Sequence, residues 1–247
     1  MTTNRPTDAA PRLRVGLIGA GRAGVVVAAA LARAGHLTIA LSAVSDESRE
    51  RAAAVLPGIP VRDAGEVARG ADLVVVAVPD DDVAGLVRGL VATEALHPGQ
   101  IVLHLHPGHG IGLLEAAVSR DVLPLAIHPA VALGGRASDV DRLVGTSFAV
   151  TTLRSLRPLG EALVLEMGGE PVWIEEEDRP AYAAALAAVR DSMSGVLTAA
   201  GRVLRDCGIE DVASVLGPLA HAVTDEALKA SSVSAQRSVD PPSPHSR

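Results

Sequence analysis

Arg12-Leu13-Arg14-Val15-Gly16-Leu17-Ile18-Gly19-Ala20-Gly21-Arg22-Ala23-Gly24 is an apolar strand-like run that enters a glycine loop, and an apolar helical stretch, Val25 to Ala34, follows directly. In that setting each glycine has a separate task. Gly19 permits the tight turn, Gly21 lets a ligand's pyrophosphate approach the backbone, and Gly24 lets the helix lie close to the strand. The unpaired N–H groups of the helix N-terminus, with the positive end of its dipole, stabilise phosphate charge there. Arg22 and Ala23 complete the loop, and Arg22 offers a charge-assisted bond to a phosphate.

Outward from this loop the pattern alternates. Leu37 to Val44 reads as a second strand, and Ser45-Asp46-Glu47-Ser48 caps a helix to about Leu56. A short segment at Ile59 to Val61 is a third-strand candidate, followed by a helical turn over Ala64 to Arg69. Leu73 to Val78 is a continuous apolar run of the kind a strand buried on both faces needs, stopped by Pro79. Asp80-Asp81-Asp82 places acid at the start of a helix, the reading preferred to a metal site because consecutive side chains do not converge on one ion. Strands over Ile101 to Leu105 and Leu123 to Ile127 flank a helix at Leu113 to Ser119. After a polar loop, Gly134 to Gly145, come a strand at Thr146 to Thr151, a helix at Pro158 to Met167 and an edge strand at Pro171 to Ile174. This is an α/β chain: a Rossmann-type doubly wound parallel sheet. From Glu175 onward the strands stop, and Pro180 to Asp206 and Asp211 to Ala230 read as alanine-rich helices forming a small all-α domain. The expected organisation is a disordered N-terminus over 1–11, a dinucleotide-binding domain over 12–175, a helical domain over 176–230 and a disordered Ser/Pro tail over 231–247.

The formal net charge of −7 over 247 residues argues against nucleic-acid or anionic-membrane partners. No stretch reaches the roughly 18 uninterrupted apolar residues of a membrane span. Cys207, the single cysteine, cannot form an internal disulfide and reads as a small apolar filler late in a helix. A cytoplasmic protein is expected. Phe148, Trp173 and Tyr182 are the only aromatic residues, so the core is aliphatic and an aromatic substrate cage is not expected.

In an open α/β sheet the ligand crevice lies beyond the carboxyl ends of the strands. Five places qualify: the glycine loop, Ser45 to Arg49, Val78-Pro79, His104 to Gly110, and His128-Pro129. Asp46, 22 positions beyond Gly24, suits a ribose 2′-OH, whereas Ser45, Ser48 and Arg49 offer donors to a 2′-phosphate. The second set favours NADP as cofactor, with NAD as the alternative. His104-Leu105-His106-Pro107-Gly108-His109 also fits an H-x-H-x-x-H zinc pattern, with His128 as a fourth nitrogen. Against a zinc hydrolase stands Gly108, where those enzymes carry an aspartate, so no metal is assigned.

The glycine loop, Val78-Pro79-Asp80-Asp81, the His104 to Gly110 segment, Pro124-Leu125-Ala126-Ile127-His128-Pro129-Ala130 and the helical half from Tyr182 together resemble one bacterial group. These are Rossmann-like proteins whose C-terminal half is a domain of unknown function, within the 6-phosphogluconate dehydrogenase-like reductases, near pyrroline-5-carboxylate reductase and ketopantoate reductase. The resemblance spans about residues 12 to 228 and implies a homodimer built through the helical half. Departures accompany it. The family's Ser-Gly two positions after His104 is His106-Pro107 here, its Tyr-His pair is Tyr182-Ala183, its later Asn is Asp191, and a glycine-rich stretch beyond the second long helix is replaced by the Ser/Pro tail.

The function expected is NAD(P)-dependent hydride transfer to or from a small polar carbonyl or imine substrate. His128, with His104 second, is the expected proton donor, because an ordinary imidazole pKa near 6.5 lies close to working pH. Asp191 is the candidate to orient a substrate amine. The rival class is a non-catalytic NAD(P)-binding or partner protein descended from a reductase, motivated by Ala183 and Asp191.

Overall fold

The computed structural model describes residues 12–237. Its elements are β1 (Arg14–Ile18), α1 (Arg22–Arg33), β2 (Leu37–Ser42), α2 (Asp46–Val55), α3 (Ala64–Gly70), β3 (Leu73–Val76), α4 (Asp80–Ala92), β4 (Ile101–His104), α5 (Glu115–Val118), β5 (Leu123–Pro129), β6 (Ser147–Thr152), α6 (Arg157–Glu166), β7 (Glu170–Trp173), α7 (Arg179–Asp206) and α8 (Val212–Arg237). Helical turns of the tighter kind cover Ile111–Leu114 and Ala137–Leu143. The expected disordered N-terminus, 1–11, and residues 238–247 of the expected tail lie outside the described residues, whereas residues 231–237 of that tail continue α8 to Arg237.

The strand order is β2-β1-β3-β4-β5-β6-β7. The third-strand candidate survives only as a parallel bridge between Leu41 and Val61 on the free side of β2. Pro60 supplies a carbonyl to Leu41 but has no N–H, and Asp63 already caps α3, so the strand cannot lengthen. With that bridge the order at this edge is that of a Rossmann sheet, and the crevice falls at β1, where neighbours lie on both sides.

Side chains alternate between two layers. Val15, Leu17, Leu73, Val75, Leu103 and Leu125 enter one core, whereas Ile18, Val74, Val76 and Val102 enter the other. The four residues of β3 are all buried, which is why their run shows no polar alternation.

The sheet departs from all-parallel at one seam: β6 runs antiparallel to β5. A parallel return would have to carry the chain to the opposite sheet edge. Instead residues 130–146 stay at the edge where β5 ends. The Asp139 carboxylate accepts from Gly134 N at 2.8 Å and Arg136 N at 3.0 Å, and Arg33 of α1 bonds Asp141 and the Val140 carbonyl. These backbone donors hold the Asp139 carboxyl below the usual carboxylate range.

The chain divides into two compact units after Leu186. In the second unit α7 and α8 border a groove of about 620 Å³ lined by Met193, Leu197, Leu216 and Ala220, among others. Cys207, expected as filler within a helix, is exposed just beyond the end of α7. Among the described residues no helix is long and apolar enough to cross a membrane.

Candidate active site

The glycine loop is shaped against the end of β3. Gly19 has φ +89°, and a Cβ there would meet the Ala77 carbonyl oxygen at 2.6 Å. One at Gly21 would lie 3.2 Å from the same oxygen, and one at Gly24 would lie 2.5 Å from Ala77 Cβ. All three glycines therefore admit one neighbour, Ala77. Gly21 caps α1 with no side-chain hydrogen bond, and the first turn of α1 holds no acid, so the helix N-terminus is left to an anion. The loop fits a dinucleotide's pyrophosphate on these observations.

Beside it lie contacts that no local pattern announced. Arg51 of α2 donates from Nη1 to the Ala20 carbonyl at 2.8 Å and pairs with Glu47. Gly135, at φ +79°, brings the β5–β6 connection so close that a Cβ would meet Arg51 Cδ at 2.7 Å and Arg22 Cα at 3.1 Å. Arg22 is exposed and Ala23 is half-buried.

Ser45, Ser48 and Arg49 sit together after β2, but each has a local bond. Ser45 Oγ accepts from Ser48 N at 3.2 Å, Ser48 Oγ donates to the Ser45 carbonyl at 2.7 Å, and Arg49 pairs with Asp46 at 2.9 Å. Val78 and Pro79 follow β3 beside Gly19, Pro79 being the cap residue of α4.

His104 and His128 lie on one face of the sheet, since His104 is in register with Ala126. Their surroundings differ. His104 is fully buried; its Nε2 donates to the Gly110 carbonyl at 2.7 Å and its Nδ1 accepts from His106 N at 3.2 Å. Those two bonds fix the neutral tautomer, and burial pushes its pKa down to about 3. With both nitrogens held by backbone, His104 shapes the 104–110 loop and has no proton to offer a ligand. The sequence expectation that it could act as donor is corrected by this.

His128 Nδ1 lies 3.0 Å from Tyr182 Oη, with the rings edge to face. Burial first, then the Arg179 and His106 charges, push its pKa down to about 4. At neutral pH it is uncharged, so a proton it passes on is the N–H of a neutral ring. Tyr182 is pushed up by burial and partly drawn back by Arg179. Arg179, fully buried, bonds Thr151 Oγ1 at 2.7 Å and the carbonyls of Ala126 and Ala149. Burial pushes Arg179 down to about 10, still charged at neutral pH. Glu176 braces the same region, accepting from Ile111 N at 2.7 Å and Gly112 N at 3.2 Å.

His106 pairs through Nδ1 with Asp80, which also lies 4.0 Å from His109 Nε2. Asp80 is thus a polar partner of His106 as well as a first-turn residue of α4. Burial lowers the His106 pKa while Asp80 opposes it. The three histidines do not converge, because His104 faces backbone, and among the described residues no group of three or more ligating side chains is placed to hold a metal. Asp191 is exposed in the second unit and bonded to Arg190 at 2.9 Å.

A Rossmann-like domain model matches residues 2–129, and the model of a domain of unknown function, DUF2520, matches residues 146–237. Solved structures share the fold at low identity. A Bacteroides fragilis protein assigned as an NADP oxidoreductase is 18% identical with a TM-score of 0.72, covering 87% of this chain and 80% of its own. An imine reductase variant from Myxococcus stipitatus in complex with NAD+ is 20% identical with a TM-score of 0.61, covering 96% and 82%. A pyrroline-5-carboxylate reductase from Coxiella burnetii is 18% identical with a TM-score of 0.62, covering 94% and 86%. No curated protein matches this sequence. With its glycine loop, its sheet and these two matches, the chain belongs to the Rossmann-like family, in the branch whose second domain is DUF2520.

Proposed function

We propose that the protein is a nicotinamide-dependent oxidoreductase acting on a small polar carbonyl or imine compound, with NADP the preferred cofactor. The observation that carries this reading is the His128–Tyr182 hydrogen bond, 3.0 Å long, at the same sheet edge as the glycine loop. Bound there, the nicotinamide supplies or accepts a hydride. Gly19, Gly21, Arg22, Ala23 and Gly24 would hold the pyrophosphate, and Val78 and Pro79 would border the cofactor at the end of β3. The preference for NADP rests on the donors Ser45, Ser48 and Arg49 gathered after β2, because the exposed Asp46–Arg49 pair engages acid and base alike.

The chain's own residues handle the proton. Tyr182 keeps its hydroxyl proton at neutral pH and is the catalytic acid at the substrate oxygen or nitrogen. In the tautomer that serves this step His128 Nδ1–H donates to Tyr182 Oη, so the phenol proton faces the substrate and the phenolate left behind is stabilised. His104 acts only by holding the loop beside them.

Titrating NADPH and NADH by fluorescence, then screening keto acids, ketones and cyclic imines for NADPH oxidation, tests the reading. Saturable sub-millimolar binding and turnover are expected. Failure to bind either cofactor would overturn it, and binding without turnover on a broad panel would favour a non-catalytic cofactor-binding protein. We also propose a homodimer through the second unit, supported by its exposed Val196, Leu219 and Val223.

A further inference from the structure

Arg179 is the bulkiest of the fully buried side chains, and it is a cation. Its Nε donates to Thr151 Oγ1 at 2.7 Å, Nη2 to the carbonyls of Ala126 and Ala149 at 2.8 and 3.1 Å, and Nη1 to the His106 carbonyl at 3.5 Å. Every one of these acceptors is neutral. Among the described residues no carboxylate forms an ion pair with the guanidinium. Glu176, the acidic group that acts on it from a distance, spends both oxygens on the amides of Ile111 and Gly112. Removing a charge from water without a bonded counter-ion is costly; Glu176 offsets the Arg179 charge only from a distance, and that charge also acts on Tyr182 and His128. Arg179 and Tyr182 are three residues apart on α7 and therefore share a helix face, and the strand that Arg179 grips at Ala126 carries His128 two residues further on.

We propose that Arg179 makes this site a carbonyl-reducing one: its fixed charge stabilises the oxygen anion that develops beside Tyr182 and repels a substrate entering as an iminium cation. The inference rests on the oxidoreductase reading and narrows its substrate class. In carbonyl reduction the carbon receives hydride from a dihydronicotinamide, the C=O π pair moves onto oxygen, and that oxygen takes the Tyr182 proton to give an alcohol. The phenolate then regains a proton from water through His128. An iminium already carries its proton and loses positive charge on reduction, so it uses neither the Tyr182–His128 acid nor a fixed cation. Arg179, touching backbone and Thr151, is a positioning residue that acts through Tyr182.

The test uses the full chain with NADPH and two five-membered probes, cyclopentanone and N-methylpyrrolinium, the second a permanent cation. The wild type should favour the ketone in kcat/KM by at least about tenfold, as expected for a unit charge acting within a partly buried site. Arg179→Gln, which removes the charge but keeps amide donors, should narrow that preference by about tenfold, whereas Arg179→Lys should keep most of it. A second readout needs neither cofactor nor turnover. Tyr182 is the chain's one tyrosine, so phenolate absorbance titrates it alone. Arg179→Gln should titrate at higher pH than the wild type, and Arg179→Lys close to it. A wild-type preference for the iminium, equal narrowing by both substitutions, or a Tyr182 titration unmoved in Arg179→Gln would each overturn the proposal. If Arg179→Gln does not fold, the wild-type preference decides; if neither probe turns over, the Tyr182 titration decides. Failure of the wild type to bind NADPH or NADH sinks the oxidoreductase reading itself, whereas binding with the opposite preference sinks the carbonyl assignment alone.

Discussion

His128 Nδ1 and Tyr182 Oη lie 3.0 Å apart, joining the end of β5 to the first turn of α7 across 54 residues of sequence. The bond makes two weak acids one unit. Both are uncharged at neutral pH, because burial and Arg179 hold His128 down at about 4 while burial pushes Tyr182 up. Which of them donates has a pH signature. An acid of ordinary imidazole pKa would lose its proton, and kcat/KM for reduction would fall, above about pH 6.5. With Tyr182 as acid, kcat/KM should stay level through neutral pH and fall only on the alkaline side. Tyr182→Phe should lower kcat by about a hundredfold or more while leaving NADPH affinity unchanged. An alkaline limb near pH 6.5, or full turnover in Tyr182→Phe, would count against the assignment.

The same histidines tie stability to pH. His104 and His128 titrate at about 3 and about 4 in the folded chain, against about 6.5 for an unfolded histidine. Between those values the unfolded chain binds protons that the folded one does not, so stability rises with pH there and is lost as pH falls from about 6.5 toward 4. Urea midpoints should therefore drop between about pH 7 and pH 5. His128→Asn, which cannot protonate, should shrink that drop relative to wild type. An unchanged pH dependence in the variant would show that His128 is not held neutral by the fold.

The glycine loop separates folding from binding. A methyl at Gly24 would meet Ala77 Cβ at 2.5 Å inside the helix–strand contact, so Gly24→Ala should destabilise the chain by about 1–3 kcal/mol. At Gly21 the nearest atom, the Ala77 carbonyl oxygen, is 3.2 Å away, and the residue caps α1 at φ −66°, which any residue adopts. Gly21→Ala should leave the melting temperature within a few degrees of wild type and weaken NADPH binding about tenfold or more, through the space that the phosphates need. Calorimetric titration of both variants checks this; equal NADPH affinity in Gly21→Ala would remove that residue from the phosphate site.

The sheet was legible because its information is local. Leu73 to Val76 has no polar residue to hide, Asp80 and Pro79 mark where it must end, and the glycine spacing admits few other turns. The reversal between β5 and β6 was not legible. It depends on a buried Asp139 collecting two backbone amides of its own loop, and an aspartate five residues beyond Gly134 looks like any surface acid. The site followed the same division. Residues at strand ends, His104 and His128, could be located by position, but their chemistry is set by partners far off in sequence. Tyr182 reaches His128, Gly110 turns back to His104, and Arg179 lies under β5 and β6. Arg179 precedes Pro180 in an acidic stretch, where a solvent-facing side chain is the ordinary reading, and no spacing shows that it is fully buried.

The second unit carries the assembly prediction. Val196, Leu219 and Val223 line a second apolar groove of about 360 Å³ between the two helices and remain exposed, as does Val189. Two long helices that leave so much aliphatic surface in water bury too little to be satisfied by each other, and closed two-fold pairing is the commonest way to cover such a face. Light scattering should therefore give twice the chain mass at micromolar concentration. Val196→Glu combined with Leu219→Glu places charge on two residues that are 68% and 60% exposed, so the chain itself should fold as before while the dimer dissociates. A wild type that stays monomeric at high concentration, or a double variant that still dimerises, would show that this face is not where two copies meet.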